Sequence, residues 1–279
     1  MTPGRDGAVG RVSGKAQTGV EKKYFAGIDI GSLTCDAVII DDAGRIAAYE
    51  VALTGARSRA AGEKALAAAL ERLGIAKGDL AGLVSTGYGR ELVDGRTRAL
   101  SEITCHARGA LRLFPETRLV LDIGGQDSKA IRIAPDGRVR DFAMNDKCAA
   151  GTGRFFEVMA RALEIDLDDL GPRALEAKKP LGLSSVCTVF AESEVVGMVA
   201  RGETVEDITA ALCTVSAEKV VALAHRVGIE SPVTVTGGVP KNIGFLRALE
   251  KQLDLKVNLP EEPQIVGALG AALMGLESA

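Results

Sequence analysis

Apolar and polar positions along the chain predict three strands followed by a helix. Short apolar runs predict strands at Tyr24–Ile30, Ala37–Ile40 and Ile46–Leu53. Leucines at helical spacing then predict a helix over Arg59–Leu73, and Gly74 supplies its stop signal. Strands and helices mixed in this order are typical of an α/β protein.

The same patterns place the remaining elements. A strand at Leu80–Ser85 precedes a helix at Ser101–Phe114, with Ser101 as its cap. Further helices are predicted at Gly151–Leu163, Thr204–Val227 and Gln264–Leu276, and a further strand at Pro232–Thr236. The last helix is rich in glycine and alanine, which suits close packing against neighbouring backbone.

The strand pattern repeats without a gap at an offset of 93 residues, the separation of Asp29 from Asp122. Asp29-Ile30-Gly31 aligns with Asp122-Ile123-Gly124, and the turn Gly44-Arg45 aligns with Gly137-Arg138. Leu119–Ala143 therefore repeats the strand, glycine loop, strand, turn and strand of the first half. The alternative is coincidence between two Asp-x-Gly hairpins, which the shared register of the turn disfavours.

A duplication of this kind predicts two similar α/β domains that face one another. Domain I comprises residues 24–116 and the C-terminal helix at 264–279, and domain II comprises residues 117–263. Residues 1–23 are rich in glycine and basic residues and contain no apolar block, so we predict a disordered tail there.

Charge and composition exclude several classes of protein. Lys and Arg number 34 and Asp and Glu 37, a formal charge of −3, which argues against a nucleic-acid partner. No apolar run reaches the roughly 18 residues that a membrane span requires. Five cysteines in a chain of this length do not form a secreted disulfide framework, and the absence of a CxxC pair excludes zinc fingers and ribbons. We expect a cytoplasmic protein.

The two Asp-x-Gly hairpins carry the candidate chemistry. Backbone N–H groups of a glycine-rich turn can surround phosphate oxygens, and a carboxylate beside the turn suits Mg²⁺. Asp29 and Asp122 are therefore candidates for a metal–phosphate clamp across a cleft. A third turn, Gly237-Gly238, follows a strand and is a candidate for contact with a nucleoside. The chain contains no GxxxxGK[ST] and is not a P-loop protein.

Seven segments resemble known motifs. GIDIGSLT (27–34), LDIGGQDSKAI (121–131) and VTGGVPKN (235–242) are similar to the phosphate-1, phosphate-2 and adenosine motifs of the actin/sugar-kinase/heat-shock ATPase superfamily, whose duplicated domains are ribonuclease H-like. SEITCHARGA (101–110) and QIVGALGAAL (264–273) are similar to its connecting helices. NDKCAAGTGRF (145–155) and SSVCTVFAESEV (184–195) resemble the activators of 2-hydroxyacyl-CoA dehydratases and the ATPase subunits of benzoyl-CoA reductase.

The resemblance implies an ATPase coupled to electron transfer, with ATP, Mg²⁺ and one [4Fe–4S] cluster shared by two subunits. It implies catalytic roles for Asp29, Asp122 and Glu102, with Glu102 orienting the attacking water. It also implies nucleotide contacts from the glycine turns and the residues beside them, namely Gly31, Ser32, Gly124, Gly125, Gln126, Lys129, Gly237, Gly238 and Asn242. Some of these residues have plainer interpretations, because Glu102 also suits a helix start and Lys129 also suits a solvated strand.

The resemblance assigns the cluster to Cys148 and Cys187. A cubane needs four thiolates, so two ligands per chain call for a homodimer with the cluster on its twofold axis. Glycines that follow Cys148 at a helix start favour an anionic group there. Cys35, Cys105 and Cys213 are expected to be buried apolar residues.

One position departs from the family pattern. Many members carry lysine in the first phosphate hairpin where this chain has Asp36, which puts the phosphate contacts there in doubt. The repeat places Asp36 at the position of Lys129, and we expect His106, one helical turn after Glu102, to be structural.

The function expected from the resemblance is delivery of a low-potential electron to a 2-hydroxyacyl-CoA dehydratase, with a ferredoxin or flavodoxin as the donor. A second possibility is an ATPase subunit of benzoyl-CoA reductase, working within a hetero-oligomeric reductase complex. A third is a sugar- or acetate-type kinase on the same fold, which needs no iron. A fourth is an ATP-dependent scaffold without catalytic activity.

Overall fold

Two five-stranded mixed sheets form the frame of the protein. The computed structural model describes residues 22–184 and 187–279, so nearly all of the predicted tail at 1–23 lies outside the described residues. The first sheet contains β1 (Tyr24–Ile30), β2 (Thr34–Asp41), β3 (Ile46–Leu53), β4 (Leu80–Gly87) and β5 (Arg98–Ala99). The second contains β6 (Leu119–Ile123), β7 (Ser128–Ile133), β8 (Val139–Asn145), β9 (Val233–Thr236) and β10 (Val257–Asn258).

The sheets repeat one another strand for strand, as the sequence predicts. Their orders are β3-β2-β1-β4-β5 and β8-β7-β6-β9-β10, with the first three strands antiparallel in each. Each second strand also has a register shift at the matched position, between Ile39 and Ile40 and between Arg132 and Ile133. Gly44 and Gly137 have positive φ angles of 71° and 82° in the matched turns. The duplication is therefore confirmed, while the assignment of segments to domains I and II stays a prediction.

The first sheet is covered on both faces by helices. The α-helices of the described residues, of which α1 and α8 cover this sheet, are α1 (Ser58–Leu73), α2 (Glu102–Leu113), α3 (Gly153–Ala162), α4 (Leu170–Leu175), α5 (Thr188–Ala200), α6 (Val205–Val227), α7 (Ile243–Leu253) and α8 (Val266–Leu276). Leucines and alanines of α1 pack on one face of the sheet, and α8 packs on the other. Gly270 of α8 lies so close to the carbonyl oxygen of Cys105 that a Cβ there would overlap it. The small residues of the last helix therefore permit contact with α2, as predicted.

The second sheet packs on a larger core that is centred on α6. Thr204 caps this helix by accepting a hydrogen bond of 3.2 Å from the Asp207 N–H, which confirms the predicted start. By length and composition α6 is apolar enough to cross a membrane, but 61% of its apolar window is buried inside the protein. We therefore assign α6 to the core.

Several boundaries differ from the predictions for local reasons. The second strand runs over Thr34–Asp41 rather than Ala37–Ile40, because hairpin pairing with β1 extends it through polar residues. Helix α3 begins at Gly153 rather than Gly151, since Gly151 has a φ of +84° that a helix does not contain. The pattern did not predict α4, α5 or α7.

Candidate functional site

A cleft of about 820 Å³ opens where the hairpin turns of the two sheets meet. Every predicted catalytic and nucleotide residue lines this cleft, namely Asp29, Gly31, Ser32, Glu102, Asp122, Gly124, Gly125, Gln126, Lys129, Gly237, Gly238 and Asn242. The sequence therefore located the cleft-facing edge of each sheet correctly. The individual roles of these residues stay predictions.

The two aspartates occupy equivalent places in the two sheets. Asp29 on β1 lies opposite Asp36 on β2, and Asp122 on β6 lies opposite Lys129 on β7. On the other side of each aspartate lies a parallel strand, in which Asp29 pairs with Thr86 and Asp122 pairs with Thr236, and a glycine follows each threonine. The repeat thus presents two carboxylates to one cleft from opposite sheets.

The two carboxylates differ in their electrostatic surroundings. Burial raises the pKa of Asp29 to about 6, although attraction to His106 opposes this rise. Burial also raises the pKa of Asp122, but attraction to His106 and Lys129 outweighs burial and leaves that pKa below its ordinary value. At neutral pH Asp122 is therefore the more firmly ionised of the two.

Lys129 is the cation at the centre of the second hairpin. Its Nζ lies 3.1 Å from Asp122 Oδ2, 3.0 Å from Asp127 Oδ1 and 3.5 Å from Glu102 Oε2. Burial lowers the pKa of Lys129, but the three carboxylates outweigh burial and raise it above its ordinary value. The side chain is 3% exposed, so the interpretation as a solvated strand charge is wrong.

Replacement of Lys129 by methionine is expected to lower the free energy of unfolding by about 3–5 kcal/mol, because it leaves buried carboxylates without their cation. Urea unfolding at neutral pH measures the loss. Lys256→Met is the matched control, since the Lys256 side chain is 77% exposed and forms a surface ion pair with Glu250. A loss for Lys129→Met as small as that of the control would contradict the network.

His106 lies between the two aspartates, where we expected only a structural residue. Its Nε2 is 3.7 Å from Asp29 Oδ2, and its Nδ1 is 3.5 Å from Asp122 Oδ1. Nδ1 is also 3.2 Å from Thr236 Oγ1, which donates a 3.0 Å hydrogen bond to Asp122. His106 therefore connects the two hairpins. The sequence shows only that His106 follows Glu102 by one helical turn, and the arrangement of both sheets is needed to see this role.

The glycine turns bring backbone into the cleft from three directions. Gly125 of the second hairpin packs directly on Leu33 of the first, so the two phosphate-type turns are in contact. Gly237 N–H donates a 2.9 Å hydrogen bond to the Pro263 carbonyl, which ties the third turn to the segment that enters α8. Backbone N–H groups of glycine-rich turns suit phosphate oxygens, but those of Gly31, Gly124 and Gly237 already donate to carbonyl oxygens of the protein.

The apolar part of the cleft lining is suited to a nucleoside. Its walls include Leu167, Pro172, Val239 and Ile243, which offer apolar contact to a planar base. Asn242 lies there, but its side-chain oxygen caps α7 by accepting a 2.9 Å hydrogen bond from the Phe245 N–H. The side-chain nitrogen of Asn242 is therefore the group that can bind a ligand. The sequence motif does not show that the side-chain oxygen is already used.

The five cysteines divide into two groups. Cys35, Cys105 and Cys213 are buried, as predicted, and burial raises the pKa of both Cys105 and Cys213 to about 12. Cys148 and Cys187 are exposed and lie outside the cleft. Cys187 is the N-cap residue of α5, and Cys148 precedes the start of α3. Among the described residues, no three His, Cys, Asp or Glu side chains form a group that holds a metal ion.

Backbone hydrogen bonds join the Cys148 loop to the second phosphate-type turn. Gly153 N–H donates to the Gly124 carbonyl at 2.9 Å, and Arg154 N–H donates to the Gly125 carbonyl at 2.8 Å. On the other side, Asn145 Nδ2 donates to the Cys148 carbonyl at 2.8 Å and Asn145 Oδ1 accepts from the Cys148 N–H at 3.2 Å. Cys148 therefore lies in a segment that is joined to Asn145 on one side and to the second phosphate-type turn on the other.

Known proteins match most of this chain. An activator of lactoyl-CoA dehydratase from Anaerotignum propionicum is 45% identical over 256 residues, which cover 92% of this chain and 98% of that protein. A benzoyl-CoA reductase subunit from Thauera aromatica is 36% identical over 220 residues, covering 76% of this chain and 77% of the reductase subunit.

Solved structures match the fold as well. The activator of the 2-hydroxyisocaproyl-CoA dehydratase from Clostridium difficile, with bound ADPNP, is 40% identical with a TM-score of 0.87, covering 91% of this chain and 95% of that one. A glucokinase of the ROK family from Streptomyces griseus is 16% identical with a TM-score of 0.59 over 91% of this chain and 99% of its own, and shares the fold alone. The α/β fold of actin-like ATPases and sugar kinases is thus confirmed. Residues 26–275 match the BadF/BadG/BcrA/BcrD ATPase family, and together with these relatives the match shows that the chain belongs to that family.

Proposed function

We propose that this chain is an activator that hydrolyses ATP and delivers a low-potential electron to a 2-hydroxyacyl-CoA dehydratase. The observation that carries the proposal is the hydrogen-bonded link between a nucleotide-type cleft and an exposed cysteine. Relatives at 45% and 40% identity are named as dehydratase activators, which supports this partner class. The electron transfer takes place in the cytoplasm, with a reduced ferredoxin or flavodoxin as the electron donor.

In this proposal ATP lies across the cleft with its phosphates against the two hairpins. Mg²⁺ commonly uses one or two carboxylates together with phosphate oxygens, and Asp29 and Asp122 fit that pattern from opposite sides. Lys129 neutralises phosphate charge, and Glu102 orients the attacking water beside it. Hydrolysis then depends on positioning and electrostatic stabilisation, which these residues supply.

The two exposed thiols fit an iron–sulfur cluster better than the three buried cysteines do. Cys187 is the N-cap residue of α5, so the positive end of that helix favours a negatively charged group there, and Cys148 lies in the loop that leads into α3. A [4Fe–4S] cluster would supply a one-electron carrier that is held by thiolates. Cys148 and Cys187 give two ligands, and a second copy of the chain supplies the other two.

The surface of α5 supports a homodimer at this place. Four apolar side chains of the helix are exposed, namely Val189, Phe190, Val196 and Val199. Because exposed apolar side chains that lie near one another mark interaction surfaces, a twofold-related copy that packs on this helix would also bring the cysteines of both subunits together. The resulting interface would be isologous.

Coupling follows from the link between the two sites. When ATP binds to both hairpins, the second phosphate-type turn moves. The hydrogen bonds from Gly153 N–H and Arg154 N–H to this turn then move the start of α3 with it. A ligand shifts such an equilibrium only through its different affinities for the two states. The Asp29–His106–Asp122 contact and the Gly125–Leu33 contact both join the hairpins, and nucleotide binding would alter them.

The experiment that tests this function is reconstitution. Purified anaerobic protein, a 2-hydroxyacyl-CoA dehydratase, a low-potential reductant and ATP are combined, and dehydration of the acyl-CoA is followed. We expect turnover only when this chain and hydrolysable ATP are both present. Turnover with ADPNP in place of ATP, or turnover without the chain, would contradict the proposal.

The competing functions have weaker support. The benzoyl-CoA reductase subunit is a more distant relative, at 36% identity. The kinase neighbour shares the fold alone, at 16% identity, so it lends no support to a sugar or acetate substrate.

A further inference from the structure

The two hairpins differ at one buried position that faces the cleft. On β7 the residue opposite the aspartate is Lys129, whose ammonium lies 3.1 Å from Asp122. On β2 the equivalent residue is Asp36, opposite Asp29. Side chains directly opposite on antiparallel strands share a face, with Cβ atoms about 4.5–5.5 Å apart. The second hairpin therefore contains its own cation, whereas the first contains two carboxyl groups.

Asp36 is buried and incompletely satisfied. Its side chain lines the cleft, and the residue is 5% exposed. Oδ2 accepts a 3.3 Å hydrogen bond from Thr34 Oγ1, but Oδ1 has no hydrogen-bond partner among the described residues. Burial, followed by repulsion from Asp29, holds the pKa of Asp36 well above its ordinary value. A buried carboxyl oxygen without a partner is costly, so a ligand at this position would be stabilised.

Lys241 lowers the pKa of Asp36, but its ammonium donates hydrogen bonds to other side chains. Lys241 Nζ donates to Glu262 Oε2 at 2.7 Å and to Gln264 Oε1 at 2.6 Å. Glu262 moreover raises the pKa of Asp36, in opposition to Lys241. Asp36 therefore faces two acidic groups, Asp29 and Glu262, and one cation, Lys241, whose ammonium already binds two other side chains.

We propose that the first hairpin binds a potassium ion between the Asp36 and Asp29 carboxylates, with Thr34 beside them, at the position that the Lys129 ammonium takes in the second hairpin. A potassium ion matches an ammonium group in charge and approximately in size, and carboxylate and hydroxyl oxygens suit such a hard cation. The bound ion neutralises part of the charge of the nucleotide phosphates on the side of the cleft where the hairpin has no ammonium. The inference rests on the proposed nucleotide site and concerns its cation requirement only.

The test is ATP hydrolysis by the full-length, cluster-containing protein in a series of potassium concentrations, with tetramethylammonium holding the ionic strength constant. For the wild type we expect KM for ATP to fall about tenfold as potassium replaces tetramethylammonium. Asp36→Asn is expected to keep the high KM at every potassium concentration. Asp36→Lys supplies the ammonium covalently, so its KM is expected to be low without potassium and to stay unchanged when potassium is added.

Asp42→Asn is the matched control, because Asp42 is an exposed acid in the turn that follows β2, and it is expected to respond like the wild type. Thallium NMR with Tl⁺ in place of K⁺ gives a second readout, in which the signal of the bound ion is expected to be absent for Asp36→Asn. If Asp36→Lys does not fold, this signal and the kinetics of Asp36→Asn still test the potassium site. Equal wild-type KM values in potassium and tetramethylammonium, or a potassium response kept by Asp36→Asn, would overturn the inference. Absence of hydrolysis in every salt would instead contradict the proposed function.

Discussion

Replacement of Cys148 by alanine is expected to give a protein that contains almost no iron or sulfide and still binds ATP. Cys148 is exposed and lies outside the cleft, so its loss removes a thiolate without altering the nucleotide contacts. Loss of one ligand per chain removes two of the four ligands at a twofold site, which leaves too few thiolates to hold a cubane. Iron and acid-labile sulfide are measured after anaerobic purification, and ATP binding is measured on the same sample.

Cys213→Ala is the matched control for this experiment. Cys213 is buried in the core of the second sheet, so its replacement is expected to cost a little stability and no iron. A Cys148→Ala protein with its full iron and sulfide would show that the cluster ligands lie elsewhere. Anaerobic sizing of the wild type bears on the same point, because a monomer that contains four irons would exclude a shared cluster.

Asp122→Asn is expected to lower the rate of ATP hydrolysis by about 100-fold while the cluster stays in place. The substitution preserves the shape of the side chain and its capacity to accept the 3.0 Å hydrogen bond from Thr236. It removes the charge that faces Lys129 and that Mg²⁺ would use. Steady-state hydrolysis and iron content of the same preparation separate a catalytic effect from a loss of cluster.

The control for Asp122→Asn is Asp136→Asn, in the exposed turn between β7 and β8 of the same sheet. Its hydrolysis rate is expected to equal that of the wild type. Wild-type hydrolysis by Asp122→Asn would remove Asp122 from the catalytic residues and leave the alignment of the two hairpins without a functional consequence.

The fold and the cleft were predictable because their determinants are local. Each Asp-x-Gly hairpin and the turns at Gly44 and Gly137 are encoded within a few residues, and the repeat places both hairpins in one architecture. The cysteine assignment was less accessible, since residue types alone do not distinguish Cys187 from a buried cysteine. It depended on the resemblance of the surrounding motif.

What the sequence could not show depends on contacts between distant segments. His106 bridges Asp29 and Asp122 only because α2 passes between the two sheets. Lys129 also forms an ion pair with Glu102, which is 27 positions away in the chain. Helix α5 was missed because its apolar positions do not form a stripe that short-range periodicity separates from a loop or a buried strand. Helix α7 does have such a stripe, at Phe245, Leu249 and Leu253, so its existence was predictable from the sequence.

The central claim is that the nucleotide controls the iron–sulfur site, and the rate of iron removal by a chelator tests it most directly. Anaerobic wild-type protein is mixed with the chelator in the presence of ATP or of ADP. A coupling of about 1–3 kcal/mol predicts rates that differ by roughly fivefold or more between the two nucleotides. Equal rates with ATP and ADP would contradict the account and leave a plain ATPase that contains iron.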